Sequence, residues 1–255
     1  GGMQYGAPAV QKDLIQDGRR EKEVLTMFVT EQMARENGRD YALRMLKENI
    51  IRLEMEPGSS ISDREVAALL SLSRTPVREA LLELAKAKVV DIYPQKGSVV
   101  SLIDYALVEE AYFVRSVLET AVVELACEKR DEASVEELDA NVKLQRFYQQ
   151  DRVLDKLLEL DDEFHRLLFK TAGKLQAFEM MKGMMVHFDR VRNMALGTLK
   201  DKSLVEDHGK ILEAVRAGDG DKARKLMDRH LRRYQVDEEE VRRRYPGYFK
   251  PGAGG

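Results

Sequence analysis

Apolar residues recur every three or four positions along most of the chain, which predicts a mainly α-helical protein. One segment differs: over residues 89–103, β-prone residues flank a Pro-Gln-Lys-Gly turn, which predicts a two-stranded hairpin. After residue 104 the helical period returns, and the fold predicted there is an all-α helical bundle. Its helices are predicted at 104–129, 133–150, 153–172, 175–198, 202–217 and 221–243.

Three helices are predicted before the hairpin. The first covers residues 40–53, and a Ser-x-x-Glu capping box at Ser62 opens the second. The third covers residues 74–87, where Pro76 is tolerated because amides in a first helical turn have no intrahelical acceptor. Two short helices joined by a few residues and followed by a hairpin predict a winged helix-turn-helix over residues 39–103.

Both ends of the chain are predicted to lie outside the two folded units. Residues 1–38 form an N-terminal extension, in which the composition of 21–36 allows one helix. The helical unit is expected to cover 104–245, and Pro-Gly pairs beyond it predict a flexible tail over 246–255.

Composition excludes several classes of protein. The 42 basic and 45 acidic side chains give a net charge of −3. The chain therefore lacks the overall basic excess that would indicate a nucleic-acid-binding protein. The single cysteine excludes an intramolecular disulfide framework and a multi-cysteine zinc module. No apolar run approaches the roughly 18 residues of a membrane span, and no signal peptide is recognised. We therefore expect a cytoplasmic protein with no membrane partner.

The placement of individual arginines predicts a DNA-reading surface. Arg74 and Arg78 are four positions apart at the start of the third helix, so they share one face. In a helix-turn-helix this end of the recognition helix enters the major groove, where an arginine can grip guanine O6 and N7. Arg64 precedes them, and Lys96 with Gly97 lies at the wing tip. A lone arginine is usually a solvated surface charge, but this ordered set favours DNA contact.

Three of the four histidines lie near carboxylates on different predicted helices. Asp161 and His165 are four residues apart, so they project from one helix face at a separation that a metal can bridge. His208 and His230 lie on two further helices. A bundle that brings these four side chains together would hold Zn²⁺, Ni²⁺ or Mn²⁺. Spacing alone leaves a structural or surface role open for each histidine.

The segment Tyr41–Ile103, with its SRTPVREAL element, resembles the N-terminal domain of GntR-family bacterial transcription regulators. That element is highly specific for the family. One departure lies at Ala87-Lys88-Val89, where the family usually has a glycine before the wing. It affects the helix-to-wing turn and not the fold. The positions that match the family's DNA contacts are Arg64, Arg74, Thr75, Pro76, Arg78, Lys96 and Gly97.

Residues 104–245 resemble the effector-binding domain of the FadR-type branch of this family, in the metal-binding subgroup called FCD. The resemblance implies one divalent metal ion per chain. His187 matches no ligand position, and a place on a helix face near the pocket or surface is favoured for it. The implied ligands are Asp161, His165, His208 and His230.

Three further residues are candidates for contact with an effector. Arg115 matches a common family motif together with Glu119. Its guanidinium either receives an effector carboxylate or forms a local ion pair with Glu119, and both alternatives stand. Arg192 and Asn193 are weaker candidates for the pocket.

These features predict a ligand-responsive transcription regulator that binds a palindromic DNA operator as a homodimer. A small carboxylate bound at the metal would change operator affinity through its unequal affinity for two arrangements of the bundle, a coupling of about 1–3 kcal/mol. Two alternatives are a regulator whose metal is purely structural and a metal-dependent hydrolase or lyase fused to a winged helix. No recognised catalytic motif supports the enzyme, so none is expected.

Overall fold

The computed structural model describes residues 27–151, 153–196, 203–232 and 238–251. Within these ranges the chain forms an N-terminal head (residues 38–100) and a helical body (from residue 105), joined by a short linker (residues 101–104). The head contains α1 (Gly38–Arg52), β1 (Ser60–Ile61), α2 (Asp63–Leu69), α3 (Arg74–Lys86), β2 (Val90–Tyr93) and β3 (Gly97–Val100).

Every regular element described in the body is an α-helix. This confirms the predicted fold class, a winged helix-turn-helix followed by an all-α bundle. Among the described helices, none is both long and apolar enough to cross a membrane. The body helices are α4 (Tyr105–Lys129), α5 (Glu132–Gln150), α6 (Leu154–Thr171), α7 (Leu175–Met184), α8 (Val186–Leu196), α9 (Ser203–Ala217), α10 (Gly220–Arg232) and α11 (Glu238–Arg244).

The wing is a three-stranded antiparallel sheet and not a simple hairpin. Its strand order is β1-β3-β2, with Ser60 opposite Val99 and Tyr93 opposite Gly97. The prediction missed β1, because two residues are too few to show a period. Directly after β1, Ser62 accepts a hydrogen bond from the backbone N–H of Glu65 at 3.2 Å and caps α2 as expected.

The turn from α3 to β2 explains why glycine is usual at its centre. Lys88 has φ 58°, a left-handed conformation that costs most residues about 1–2 kcal/mol. Glycine adopts this conformation without that cost. It also loses more conformational entropy on folding, which cancels about 0.5–1 kcal/mol of the stability gained. We therefore expect Lys88→Gly to raise the free energy of unfolding by about 0.5–1 kcal/mol, measured by chemical denaturation. Lys88→Ala is the control, because it alters the side chain and keeps the strain; equal stability of the two variants would contradict the explanation.

The helix expected over 175–198 is broken in two. α7 ends at Met184, after the weak helix former Gly183, and α8 begins at Val186. The break gives α8 its own direction, so that Val186 is buried in the hydrophobic core of the head. Further along α8, the side-chain amide of Asn193 donates to the carbonyl of Ile51 at 3.1 Å. Thus α8 packs against the head.

The N-terminal extension is not helical over its described part. Residues 27–33 have no regular secondary structure and lie against α1, and residues 34–35 form a turn before it. The backbone N–H of Phe28 donates to Asn49 Oδ1 at 2.7 Å, and Asn49 Nδ2 donates back to the carbonyl of Phe28 at 2.9 Å. These hydrogen bonds hold the segment in place of the helix that the sequence allowed over 21–36. The first six residues of that predicted helix lie outside the described residues.

The segment after residue 245 also differs from the expected flexible tail over its described part. Residue Ile103 of the linker pairs with it as a short parallel bridge: its N–H donates to Tyr248 at 2.8 Å, and its carbonyl accepts from Lys250 at 2.9 Å. Phe249 is buried, with the guanidinium of Arg242 over its ring. Backbone hydrogen bonds and the buried side chain of Phe249 therefore hold this segment against the linker.

Candidate DNA interface and metal centre

The start of α3 lies at the surface of the head. Arg74 and Arg78 keep more than half of their side-chain surface exposed, and Thr75 between them is exposed as well. Ser73 occupies the N-cap position without a side-chain hydrogen bond to the first turn. The exposed end of a recognition helix is the part that can enter a major groove.

Asp63 at the start of α2 holds both arginines. Its carboxylate accepts from Arg74 Nη2 at 2.9 Å and from Arg78 Nε at 2.6 Å. Burial raises the pKa of Asp63, but the hydrogen bonds and charges of the two arginines outweigh it and lower that pKa. The two guanidinium groups therefore lie side by side in a fixed arrangement. The sequence interpretation missed this role, because Asp63 occupies an unspecified position of the Ser-x-x-Glu capping box.

The other predicted DNA contacts are distributed around this surface. Arg64 is exposed on α2, and Lys96 and Gly97 are exposed at the wing tip, where Gly97 has φ 98°. Pro76 is half-buried, and its ring lies close to Gly38 at the start of α1. A Cβ atom added to Gly38 would be 3.6 Å from that ring. Pro76 therefore contributes to the contact between α3 and α1.

Four predicted ligands converge in the core of the body. Asp161, His165, His208 and His230 are buried, and each offers one atom within 4.8 Å of the others. His230 Nε2 lies 3.1 Å from His208 Nε2 and 3.3 Å from His165 Nε2. Oδ1 of Asp161 is 3.5 Å from His208 Nε2. Helices α6, α9 and α10 thus bring together side chains that are up to 69 positions apart in the sequence.

Hydrogen bonds behind two of the imidazoles fix their orientation. His208 Nδ1 lies 2.7 Å from Oε1 of Gln145, and Gln145 Nε2 donates to Asn141 Oδ1 at 2.6 Å. His165 Nδ1 contacts the carboxylate of Glu119. Since an amide oxygen accepts, Nδ1 of His208 carries the proton, and its Nε2 presents a lone pair to the centre.

The charge of the site suits a cation. Burial lowers the pKa of His208 to about 3 and holds that of His230 well below its ordinary value, so both imidazoles are neutral at pH 7. Burial raises the pKa of Asp161, but His165 and Arg192 outweigh it and hold that pKa far below its usual range. A carboxylate and neutral imidazoles are the protonation states that bind a divalent metal.

The geometry also fits one ion. Nitrogens about 2.0–2.1 Å from Zn²⁺, at angles of about 90–110°, lie about 2.9–3.4 Å apart, which matches the two Nε2 separations. Lone pairs that face one another repel unless a cation lies between them. The buried cluster is therefore compatible with a metal site.

The three effector candidates have different surroundings. Arg115 is buried and donates to Glu119 Oε1 at 2.7 Å, so the local ion pair is present. Arg192 donates to Asp161 Oδ2 at 3.0 Å, directly beside the metal cluster. Asn193 instead contacts the head, which places it away from this cluster.

The sequence interpretation also missed Gln145 and Asn141 as supports of the histidines, and His187 as a junction residue. Asn141 and Gln145 lie on the buried face of α5 beside Leu138 and Val142. Polar residues at apolar positions of an amphipathic helix are the signal that could have found them. His187 lies between head and body, with Nε2 3.1 Å from the carbonyl of Lys88.

Comparisons with known proteins agree with this organisation. Residues 40–100 match the family described as bacterial regulatory proteins, gntR family, and residues 110–233 match the FCD domain. The chain is 32% identical over 207 residues to the HTH-type transcriptional repressor RspR of Escherichia coli K12, covering 81% of this chain and 91% of RspR. It is 35% identical over 220 residues to an uncharacterized HTH-type transcriptional regulator in an unstable DNA locus of Streptomyces ambofaciens, covering 86% of this chain and 92% of that protein.

A solved structure shares the fold. E. coli McbR/YncC superposes with a TM-score of 0.72 at 19% identity, covering 82% of this chain and 99% of that chain. The relatives and both families are regulators of transcription, which excludes the hydrolase or lyase alternative. The chain belongs to the GntR family of bacterial regulatory proteins and is a DNA-binding transcription regulator with an FCD domain in its body.

Proposed function

We propose that the protein is a metal-dependent, ligand-responsive regulator whose operator affinity is controlled by a small carboxylate bound in the FCD domain. The observation that carries this proposal is the convergence of three imidazoles and one carboxylate around a point that fits a single ion. One Zn²⁺, Ni²⁺ or Mn²⁺ ion per chain suits this donor set. Four protein ligands leave two positions open on a six-coordinate ion, and carboxylate oxygens are suitable ligands for them.

Two guanidinium groups support a negatively charged effector. Arg192 bonds to Asp161, and the charge of Arg115 contributes to lowering the pKa values of both Asp161 and His208. A carboxylate that reaches the ion would therefore lie near two guanidinium groups, each of which also pairs with a carboxylate of the protein. In the head, the proposed DNA contacts are Arg64, Arg74, Thr75, Arg78, Lys96 and Gly97, with Pro76 supporting their helix.

Calorimetry on metal-loaded protein tests the effector. We expect at least one member of a panel of mono-, di- and tricarboxylates to bind with one site per chain and to change operator affinity by about 5–150-fold, which corresponds to a coupling of about 1–3 kcal/mol. The same protein stripped of metal with a chelator is the control and should bind none of them. Binding that survives chelation would contradict the proposed site.

The structural-metal alternative is favoured by one observation. All four ligand side chains are buried, and structural zinc sites are closed and have four protein ligands. A fully metal-loaded protein that binds no carboxylate and whose operator affinity none of them changes would support this alternative and exclude the effector.

We further propose that a second copy of the chain covers the outer face of α4 and α10. Phe113 and Val117 project from α4 with 67% and 52% of their surface exposed. Beside them α10 carries acidic Asp221 and Asp228 with basic residues between. Two copies related by a two-fold axis and offset by one helical turn would join the apolar patches and pair opposite charges.

Replacing the apolar part of this face should separate the copies. We expect Phe113→Glu with Val117→Glu to convert a dimer into a monomer of 29.2 kDa, measured by light scattering after size exclusion. Phe147→Glu is the matched control, because Phe147 is also exposed, at 56%, but lies on α5. A dimer that persists in the first variant would exclude this face.

A further inference from the structure

The junction between head and body contains a buried positive charge without a carboxylate. Arg190 of α8 is 0% exposed, and its Nη2 donates to the carbonyl of Ser101 in the linker at 2.7 Å. Within the described ranges, Nε and Nη1 of Arg190 have no hydrogen-bond partner. Burial lowers the pKa of Arg190 to about 10, so the group is still charged at pH 7. Fully buried arginines are rare unless they are paired.

The other two buried arginines of this region each pair with a buried carboxylate. Arg115 pairs with Glu119 at 2.7 Å, and Arg192 pairs with Asp161 at 3.0 Å. Arg190 lies two residues from Arg192, so the two point to opposite sides of α8. Arg192 faces the metal cluster, whereas Arg190 faces the linker and the head. Its charge is thus separate from the metal centre.

Two more buried polar groups border Arg190. Ser101 is 1% exposed, and among the described residues its Oγ has no partner. His187 is one helical turn from Arg190, and burial together with the charge of Arg190 lowers the pKa of His187 to about 4. The neutral imidazole therefore donates from Nε2 to the carbonyl of Lys88. The N–H of Ser101 donates to the adjacent carbonyl of Val89, so Ser101 and His187 lie against the same stretch of backbone.

We propose that this junction binds a small oxyanion, such as inorganic phosphate, between Arg190 and Ser101. Oxygen acceptors would satisfy the guanidinium N–H groups and the serine hydroxyl, as ordered water also would. Only an anion additionally compensates the buried charge. Because α8 belongs to the body and Ser101 to the linker, the bound ion joins the two. Occupancy by the ion would therefore favour the arrangement of head and body that the structure shows.

Thermal unfolding in inorganic phosphate at constant ionic strength tests the site. We expect phosphate at about 100 times its dissociation constant to raise the Tm of the wild-type protein by about 5–10 °C. Arg190→Met should abolish this shift. Arg232→Met is the control of equal net charge, since Arg232 is exposed on α10 and pairs with Asp228. Phosphate bound at the metal would act on all three proteins alike, so an unchanged shift in Arg190→Met would overturn the proposal.

A crystallographic measurement keeps the test independent of how the variant folds. In wild-type crystals grown with sodium arsenate, a tetrahedral oxyanion, we expect an anomalous difference peak beside Arg190, with arsenate oxygens within hydrogen-bonding distance of Nε or Nη1. A water at that place without anomalous signal would overturn the proposal. An arsenate peak combined with a Tm that does not respond to phosphate would indicate an adventitious ion only, and would also count against the proposal.

Discussion

The double substitution His208→Ala, His230→Ala is expected to remove the metal and to lower the stability of the body. Each histidine supplies an Nε2 lone pair to the cluster, and only His165 and Asp161 remain without them. A ligand at about 1,000 times its dissociation constant stabilises the folded state by about 4 kcal/mol. Loss of that contribution should lower Tm by roughly 10 °C in a chain of this size. Elemental analysis and calorimetric unfolding measure the two effects.

His187→Ala provides the matched control, because it removes the one histidine that lies outside the cluster. This variant should retain one metal ion per chain. Chelated wild-type protein should unfold near the temperature of the double variant, and the double variant should not respond to chelator. Full metal occupancy in the double variant would exclude the assigned ligands. A Tm far below that of the chelated wild type would attribute the loss to packing instead of metal.

The candidate ligands could be selected from the sequence because few residue types bind transition metals. Asp161 and His165 also show their common face through helical spacing, which is a local property. Their convergence with His208 and His230 is not local, since it depends on how α6, α9 and α10 pack. The same holds for Gln145: its amide orients His208 from α5, and no short spacing connects the two residues.

The winged helix-turn-helix was predictable in outline for a similar reason. Period, helix caps and the turn before the wing are encoded within a few residues of one another. Three features were missed. The strand β1 is too short to show a period, and the break before α8 and the pairing of residues 248–250 with the linker depend on contacts between distant segments. A helix that must bury one face on the head and another on the metal cluster ends where packing requires, and not where its period fades.

Arg74→Ala and Arg78→Ala are each expected to weaken operator binding by about 1–3 kcal/mol, because each guanidinium is presented at the end of the recognition helix that enters the major groove. Binding to unrelated DNA should weaken much less, since base contacts specify while phosphate contacts position. Fluorescence anisotropy with operator and with scrambled duplex, at one stated salt concentration, measures both affinities.

Arg39→Ala is the matched control, since Arg39 is an exposed arginine of the head whose partner Glu83 lies toward the other end of α3. It should leave operator affinity unchanged. Because Arg74 and Arg78 share the carboxylate of Asp63, truncating one arginine leaves Asp63 to the other, so the loss in the double variant should differ from the sum of the two single losses. Strictly additive losses would mean that the two arginines act independently of Asp63. Unchanged operator affinity in both single variants would remove them from the DNA interface.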